Sequence, residues 1–338
     1  MDVSESIQGA RAWQPDPNVD GQTAASGPPG DPGAAARAAR AAAADRYQAY
    51  VSRGQPDASV DPCGDINAPD HDFDGCRQDT VPNAQLFKQQ GSDVDAVDPR
   101  DVQQGTVGDC HLLAPLAALA NTPQGRAFIR SAVVENKDEQ GKVVSWTVTL
   151  HERVGSGSQT TFRDVPVTVT QPFARGHARL RGGDGPSEVW PLVVEKACAQ
   201  YAGGYNDIAR GGSAGHAMAL LTGREPTFFS LAWPARWVHP YDAGDLQADV
   251  AGGKLVVLTT QRGIGPPLGS DSTPAQRVTN AKAHGLVENH AYFVTGTEER
   301  DGKTFVKLGN PWGRDEPDPV PFEEFAKWFG GVTVGSVP

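Results

Sequence analysis

The 338-residue chain reads as an α+β protein, with a mainly helical lobe followed by a β-rich lobe and a cleft between them. Three observations predict this. Apolar residues recur at helical spacing after residue 110 and again through 187–221. β-branched residues crowd the stretches 143–170, 254–260, 290–299 and 303–310. Apart from the 143–170 stretch, the two patterns are segregated along the chain, where a βαβ array would interleave them. The expected organisation is a low-complexity, partly helical region at 1–79, a helical lobe at 80–224 and a β-rich lobe at 225–338.

Residues 1–33 are rich in Gly, Pro, Asp and Ser, a composition that buries too little surface to offset the entropy of ordering, and they read as a linker or tail. The run AAARAARAAAADRYQAY that follows has the highest helix propensity in the chain and reads as a lone surface helix. Seven aspartates lie between Asp57 and Asp79, with Cys63 and Cys76 among them. Their spacing does not match an EF-hand loop, so a solvated acidic loop is expected. The two cysteines are either a small loop disulfide or a free pair. QQGTVGDC is a glycine-rich turn, after which Leu112, Leu113, Leu116 and Leu119 mark a buried helix entered at Cys110. The 143–170 stretch reads as antiparallel strands around a Gly-Ser turn, and 187–221 as helix broken at Gly211 and Gly212. Beyond 225, three strands follow, the last two joined by an EERDG turn. PFEEFAKWFGG then forms a short amphipathic helix before a final strand.

Thirty basic against 41 acidic residues give a net charge of −11. Phosphate neutralisation requires clustered Lys and Arg, so nucleic acid is not an expected partner. No run is long and apolar enough for a membrane span, and the N-terminus lacks the pattern of a secretory leader. The expected location is cytoplasmic, or outside the cell by export without a standard signal peptide.

A thiol attacks as thiolate, which a helix N-terminus and a neighbouring imidazole both favour. Cys110, at a helix entrance, has the first of these. His290 opens a strand, and Asn310 ends the strand paired with it twenty residues later, so one hairpin brings imidazole and carboxamide together. Gln104, six residues before Cys110, is placed to supply a side-chain donor beside the Cys110 N–H, making a two-donor oxyanion hole.

QGTVGDC, GLVENHAYFVTG and LGNPWG resemble, in this order, the three active-site blocks of the calpain-like cysteine peptidases of the papain-like superfamily. The segment from Glu188 to Gly223 is similar to that family's helical region, EKA core included, and FEEFAKWF resembles its closing helix. The resemblance spans roughly residues 80–338. It implies a papain-like fold and an endopeptidase acting on proteins or peptides through a thioester. Cys110 is then nucleophile, His290 base and acid, Asn310 orienter, Gln104 oxyanion donor, and Trp312 a shield over the His290–Asn310 bond. It also implies calcium in the protease core, with Asp101 and Glu195 matching acidic ligands of a first site. At a second site only Glu316 finds a counterpart, so that site is not expected. His111 stands where the family has Trp after the nucleophile, and Pro115 lies inside the helix that carries Cys110. The same trio would serve a thiol acyltransferase or transglutaminase-like enzyme, and the two departures leave a non-catalytic binding module as a further alternative. An inhibitor or immunity partner, the cleavage-site preference and the oligomeric state have no signature in the sequence.

Overall fold

A computed structural model describes residues 72–75, 78–91, 93–174, 176–178, 187–231, 240–261 and 284–338. The Gly/Pro-rich tail, the Ala-rich stretch, Cys63 and Cys76 lie outside the described residues.

The helical side is built around α1 (Cys110–Ala120), buried at every residue from His111 to Ala120. Pro115 lacks the N–H that would reach the carbonyl four residues back, yet the helix runs on to Ala120 because packing on all sides outweighs one lost bond. A second helix, α2 (Pro123–Ala132), begins with Pro at its first position, and the Thr122 hydroxyl caps it by accepting from Gly125 N at 3.0 Å. It leads into an antiparallel sheet of β2 (Val133–Lys137), β3 (Val143–Val154) and β4 (Thr161–Val169), the last two being the hairpin expected at 143–170. The helical stretch expected at 187–221 is three helices: α3 (Trp190–Ala202), α4 (Tyr205–Ala209) and α5 (Ala214–Thr222). Gly203, at φ 119°, ends α3 in a backbone conformation that an L side chain rarely adopts.

Residues just ahead of position 80 are attached to this side. Phe73 is buried, and Asp74 accepts from Tyr205 N at 2.8 Å and Asn206 N at 3.0 Å, satisfying donors at the start of α4. β1 (Gln78–Asp79) pairs antiparallel with β5 (Phe173–Ala174).

The β side contains β6 (Thr227–Ser230), α6 (Ala243–Ala251), β7 (Leu255–Thr260), β8 (Ala291–Arg300), β9 (Lys303–Gly309), β10 (Val320–Pro321), α7 (Phe325–Trp328) and β11 (Phe329–Gly335). Its strands form one sheet in the order β10-β9-β8-β7-β11-β6, all pairs antiparallel. β8 and β9 close through Asp301 and Gly302, both at positive φ, in a two-residue turn whose twist matches the flanking strands.

Two hydrophobic clusters fill the molecule. Leu255, Val257, Ala291 and Phe293 from β7 and β8 belong to the same cluster as α1, so the helix carrying Cys110 packs directly on the strands that follow and flank His290. The other face of the sheet closes over Leu258, Tyr292, Phe325, Trp328 and Phe329. The architecture is α+β, with the helical and β-rich sides expected from the sequence.

Candidate active site

The site lies where α1 meets the start of β8. Cys110 is partly buried at the first position of α1, and its neighbours from His111 onward are all core. A hydrogen bond from the Ala291 backbone reaches its sulfur, so the thiol lies beside the residue that follows His290. Burial pushes the thiol up to about 11, and the Asp109 carboxyl adds to this, while the Ala291 bond acts the other way. The helix entrance thus does not produce the lowered thiol pKa expected from the sequence. Desolvation of the thiolate in an apolar setting outweighs the partial charge of the helix end.

His290 is held from both sides of its backbone. Its N–H donates to the Thr260 hydroxyl at 2.9 Å, and its carbonyl accepts from Thr260 N at 2.9 Å. Its ring contacts Asn310 through Nε2, 3.0 Å from Oδ1. The amide orientation of Asn310 follows from its other partners: Oδ1 accepts from Trp312 N at 3.1 Å and Nδ2 donates to Asp315 O at 3.1 Å. Nε2 facing an acceptor must carry the proton, which leaves Nδ1 of the neutral ring as the acceptor. Burial lowers the His290 pKa and the bond to Asn310 raises it, the first being larger. Trp312 covers the imidazole with ring centroids 4.7 Å apart, and Tyr292 meets it edge-on at 4.9 Å. Phe293 packs against Gly309, where a Cβ would fall 2.2 Å from the ring, so the residue before Asn310 has no room for a side chain.

Gln104 is buried on the loop that enters α1. Its N–H donates to Pro311 O at 2.7 Å, tying this loop to the residue after Asn310. Its Nε2 donates to Val107 O at 2.8 Å, and its side-chain amide also acts on the Asp109 carboxyl as a donor.

A model of the calpain family cysteine protease matches residues 79–328. The chain belongs to the calpain family of cysteine proteases. Similar curated proteins include Calpain-A of Drosophila melanogaster, 27% identical over 224 residues, which are 64% of this chain and 24% of that protein. Calpain-13 of Rattus norvegicus is 27% identical over 223 residues, 64% of this chain and 29% of the relative. Human Calpain-8 is 26% identical over 220 residues, 64% of this chain and 28% of the relative. The chain thus matches less than a third of the length of these calpains.

The two acidic residues picked out by the calpain resemblance do not meet. Asp101 Oδ2 accepts from Asp98 N at 2.7 Å and from Trp190 Nε1 at 3.2 Å, and its carboxyl faces Glu188. Glu195 lies five residues beyond Trp190 on α3, about 7.5 Å along the axis. Both its oxygens accept from Ala178 N, at 3.0 and 2.9 Å, and its carboxyl meets that of Asp109. Asp101 and Glu195 therefore do not fit one shared cation. Among the described residues, no three His, Cys, Asp or Glu side chains are grouped to hold a metal ion.

Several features of the site have no sequence signature. Asp109 and Glu195 are both fully buried, and burial raises the pKa of each. Two buried carboxyls in contact share a proton, since like charges so close disfavour ionising both. Nothing in GDC or EKA signals that burial. Asp101 and Glu188 form a second acidic contact, in which Glu188 is pushed up by burial and by Asp101. Burial drops the pKa of His111 to about 4, so it is neutral at physiological pH. Among the described residues, no helix is long and apolar enough to cross a membrane.

Proposed function

We propose that this calpain-family protein is an endopeptidase in which Cys110, His290 and Asn310 carry the chemistry. His290 Nδ1 takes the Cys110 proton as the sulfur attacks a peptide carbonyl. The Cys110 N–H and the side-chain amide of Gln104 receive the oxyanion. The protonated imidazole then gives its proton to the leaving amine, and water, deprotonated by the same ring, hydrolyses the thioester. Asn310 keeps the proton on Nε2, so that Nδ1 is always the nitrogen exchanged with the reacting groups. Trp312 keeps water off that bond.

The observation that carries this reading is the 3.0 Å contact between His290 and Asn310, next to a thiol hydrogen-bonded by Ala291. A thiol raised to about 11 describes a resting state, in which little thiolate exists until solvent or substrate reaches it.

Calcium dependence belongs to the same proposal, with a change of partner. The carboxylate that faces Asp101 is Glu188, which also accepts from Lys88 N at 2.7 Å and Gln90 Nε2 at 3.0 Å. Two facing carboxyls offer hard oxygen donors of the kind a divalent cation takes. Calcium bound there would supply charge compensation between the loop before α1 and the residues that open α3. Cleavage profiling of a peptide library by wild type and C110A, each in calcium and in chelator, tests nucleophile and ion dependence together. The expected result is cleavage by wild type in calcium and none by C110A; equal cleavage by C110A contradicts the reading.

A further inference from the structure

Asn310 is almost fully buried, and its backbone N–H lies just past the last register pair of β8 and β9, Phe293 with Gly309. The strand ladder therefore provides no acceptor for it. The acceptor is Glu316 Oε2 at 2.6 Å, supplied by an otherwise exposed residue six positions later. Between the two, the chain folds back tightly. Gly313 N donates to Asn310 O at 2.9 Å, Asp315 O accepts from Asn310 Nδ2, and Gly313 and Asp315 both take positive φ. The same loop reaches the helical side, because Pro311 O receives Gln104 N at 2.7 Å.

We infer that Glu316 is a positioning residue: its carboxylate closes the 310–316 loop onto the Asn310 N–H and so sets the aim of the Asn310 amide at His290 and the seat of Gln104. The inference rests on the reading of Cys110, His290 and Asn310 as the catalytic set. An acceptor of charged oxygen shortens and strengthens the bond to a buried N–H, and its loss leaves that donor unsatisfied unless the loop shifts. A shift at Asn310 passes to His290 through one bond and to Gln104 through Pro311. Glu316 touches neither substrate nor reacting atoms.

The test compares E316A, E316Q and C110A with wild type, using fluorescein-labelled casein in calcium and in EGTA, with thermal melting to establish folding. E316A is expected to lower kcat by about 10- to 100-fold with KM little changed, the scale seen when an outer-shell partner is removed. E316Q is expected to recover most of the loss, because its amide oxygen still accepts from Asn310 N. The bond to Asn310 raises the His290 pKa, so the acid limb of kcat/KM should move to lower pH in E316A and stay in place in E316Q. Wild-type kcat in a folded E316A, alongside an inactive C110A, overturns the inference and leaves the catalytic reading intact. E316Q falling as far as E316A overturns it too, since charge or a bound cation would then be what matters. A C110A protein as active as wild type removes the catalytic reading, and the inference with it.

Discussion

Cys110 and His290 are positioned by two differently built halves of the molecule. Cys110 heads a helix whose ten following residues are all buried, so its place is set by the packing of Leu112, Leu113, Leu116 and Leu119, and the polar contacts at the sulfur come from backbone groups, of Ala291, His111 and Cys110 itself. His290 is placed by hydrogen bonds: Thr260 grips its backbone, Asn310 its ring, and Trp312, Asp315 and Glu316 hold Asn310 in turn. Packing fixes position but surrounds the thiol with low dielectric, and so keeps it neutral. The polar network fixes a tautomer, which packing alone cannot do. The thiol's protonation therefore depends on how far solvent reaches it, whereas the tautomer of the imidazole is built in.

Truncation separates the two halves. Leu113→Ala, in the packed half, is expected to cost about 2–5 kcal/mol of stability while the folded fraction keeps its activity. Asn310→Ala, in the polar half, is expected to lower kcat about 10²-fold with a much smaller change in melting temperature. Urea titration and casein hydrolysis on both variants check the contrast, which breaks if both changes act mainly on stability.

The neutral thiol sharpens the comparison further. Raising the pKa from 9.0 to about 11 reduces the thiolate fraction about 100-fold at any pH below both values, since each unit is a factor of ten. Iodoacetamide alkylation of Cys110 in chelator should therefore be slow at neutral pH and climb steadily with pH, without a plateau near pH 8. A plateau near neutrality would mean that the thiol is already paired with an imidazolium.

The smallest effect concerns Asp109 and Glu195 beneath Cys110. Their folded pKa values lie above the unfolded ones, so the unfolded chain releases its protons first. Stability is then complete below the ordinary carboxyl range, 4.5 for Glu195, and declines as pH rises through the folded values. Glu195→Gln removes one titrating partner and should flatten that decline by about 1 kcal/mol between pH 5 and pH 8, measured by denaturant unfolding at several pH values.

Much of this was legible in the sequence. The β8–β9 hairpin announced itself through two β-branched runs around Asp301 and Gly302, and that hairpin places His290 near Asn310. The Leu periodicity gave away α1 despite Pro115. Helix α2 was missed because its signals, Thr122 and Pro123, lie at its start while its body, QGRAFIRSA, is short and only half apolar. What stayed hidden is burial of charge. Asp101, Asp109, Glu188 and Glu195 are identical as letters to solvated carboxylates, and only the packing of α3 against the loop before α1 decides that they pair as Asp101 with Glu188 and Asp109 with Glu195. Glu316 was visible only as a counterpart of an acidic ligand; its bond to Asn310 N depends on how the 310–316 loop folds back.

Mass-spectrometric mapping of the adduct formed by a peptidyl epoxide is the most direct test of the site. The epoxide alkylates a cysteine that an adjacent imidazole activates, whatever the natural substrate. The expected result for wild type in calcium-containing buffer is one adduct, on Cys110, lost in His290→Ala and strongly slowed in Asn310→Ala. Labelling of Cys110 at the same rate in wild type and His290→Ala, or no labelling of Cys110 at all, would contradict the convergence of thiol and imidazole across the cleft.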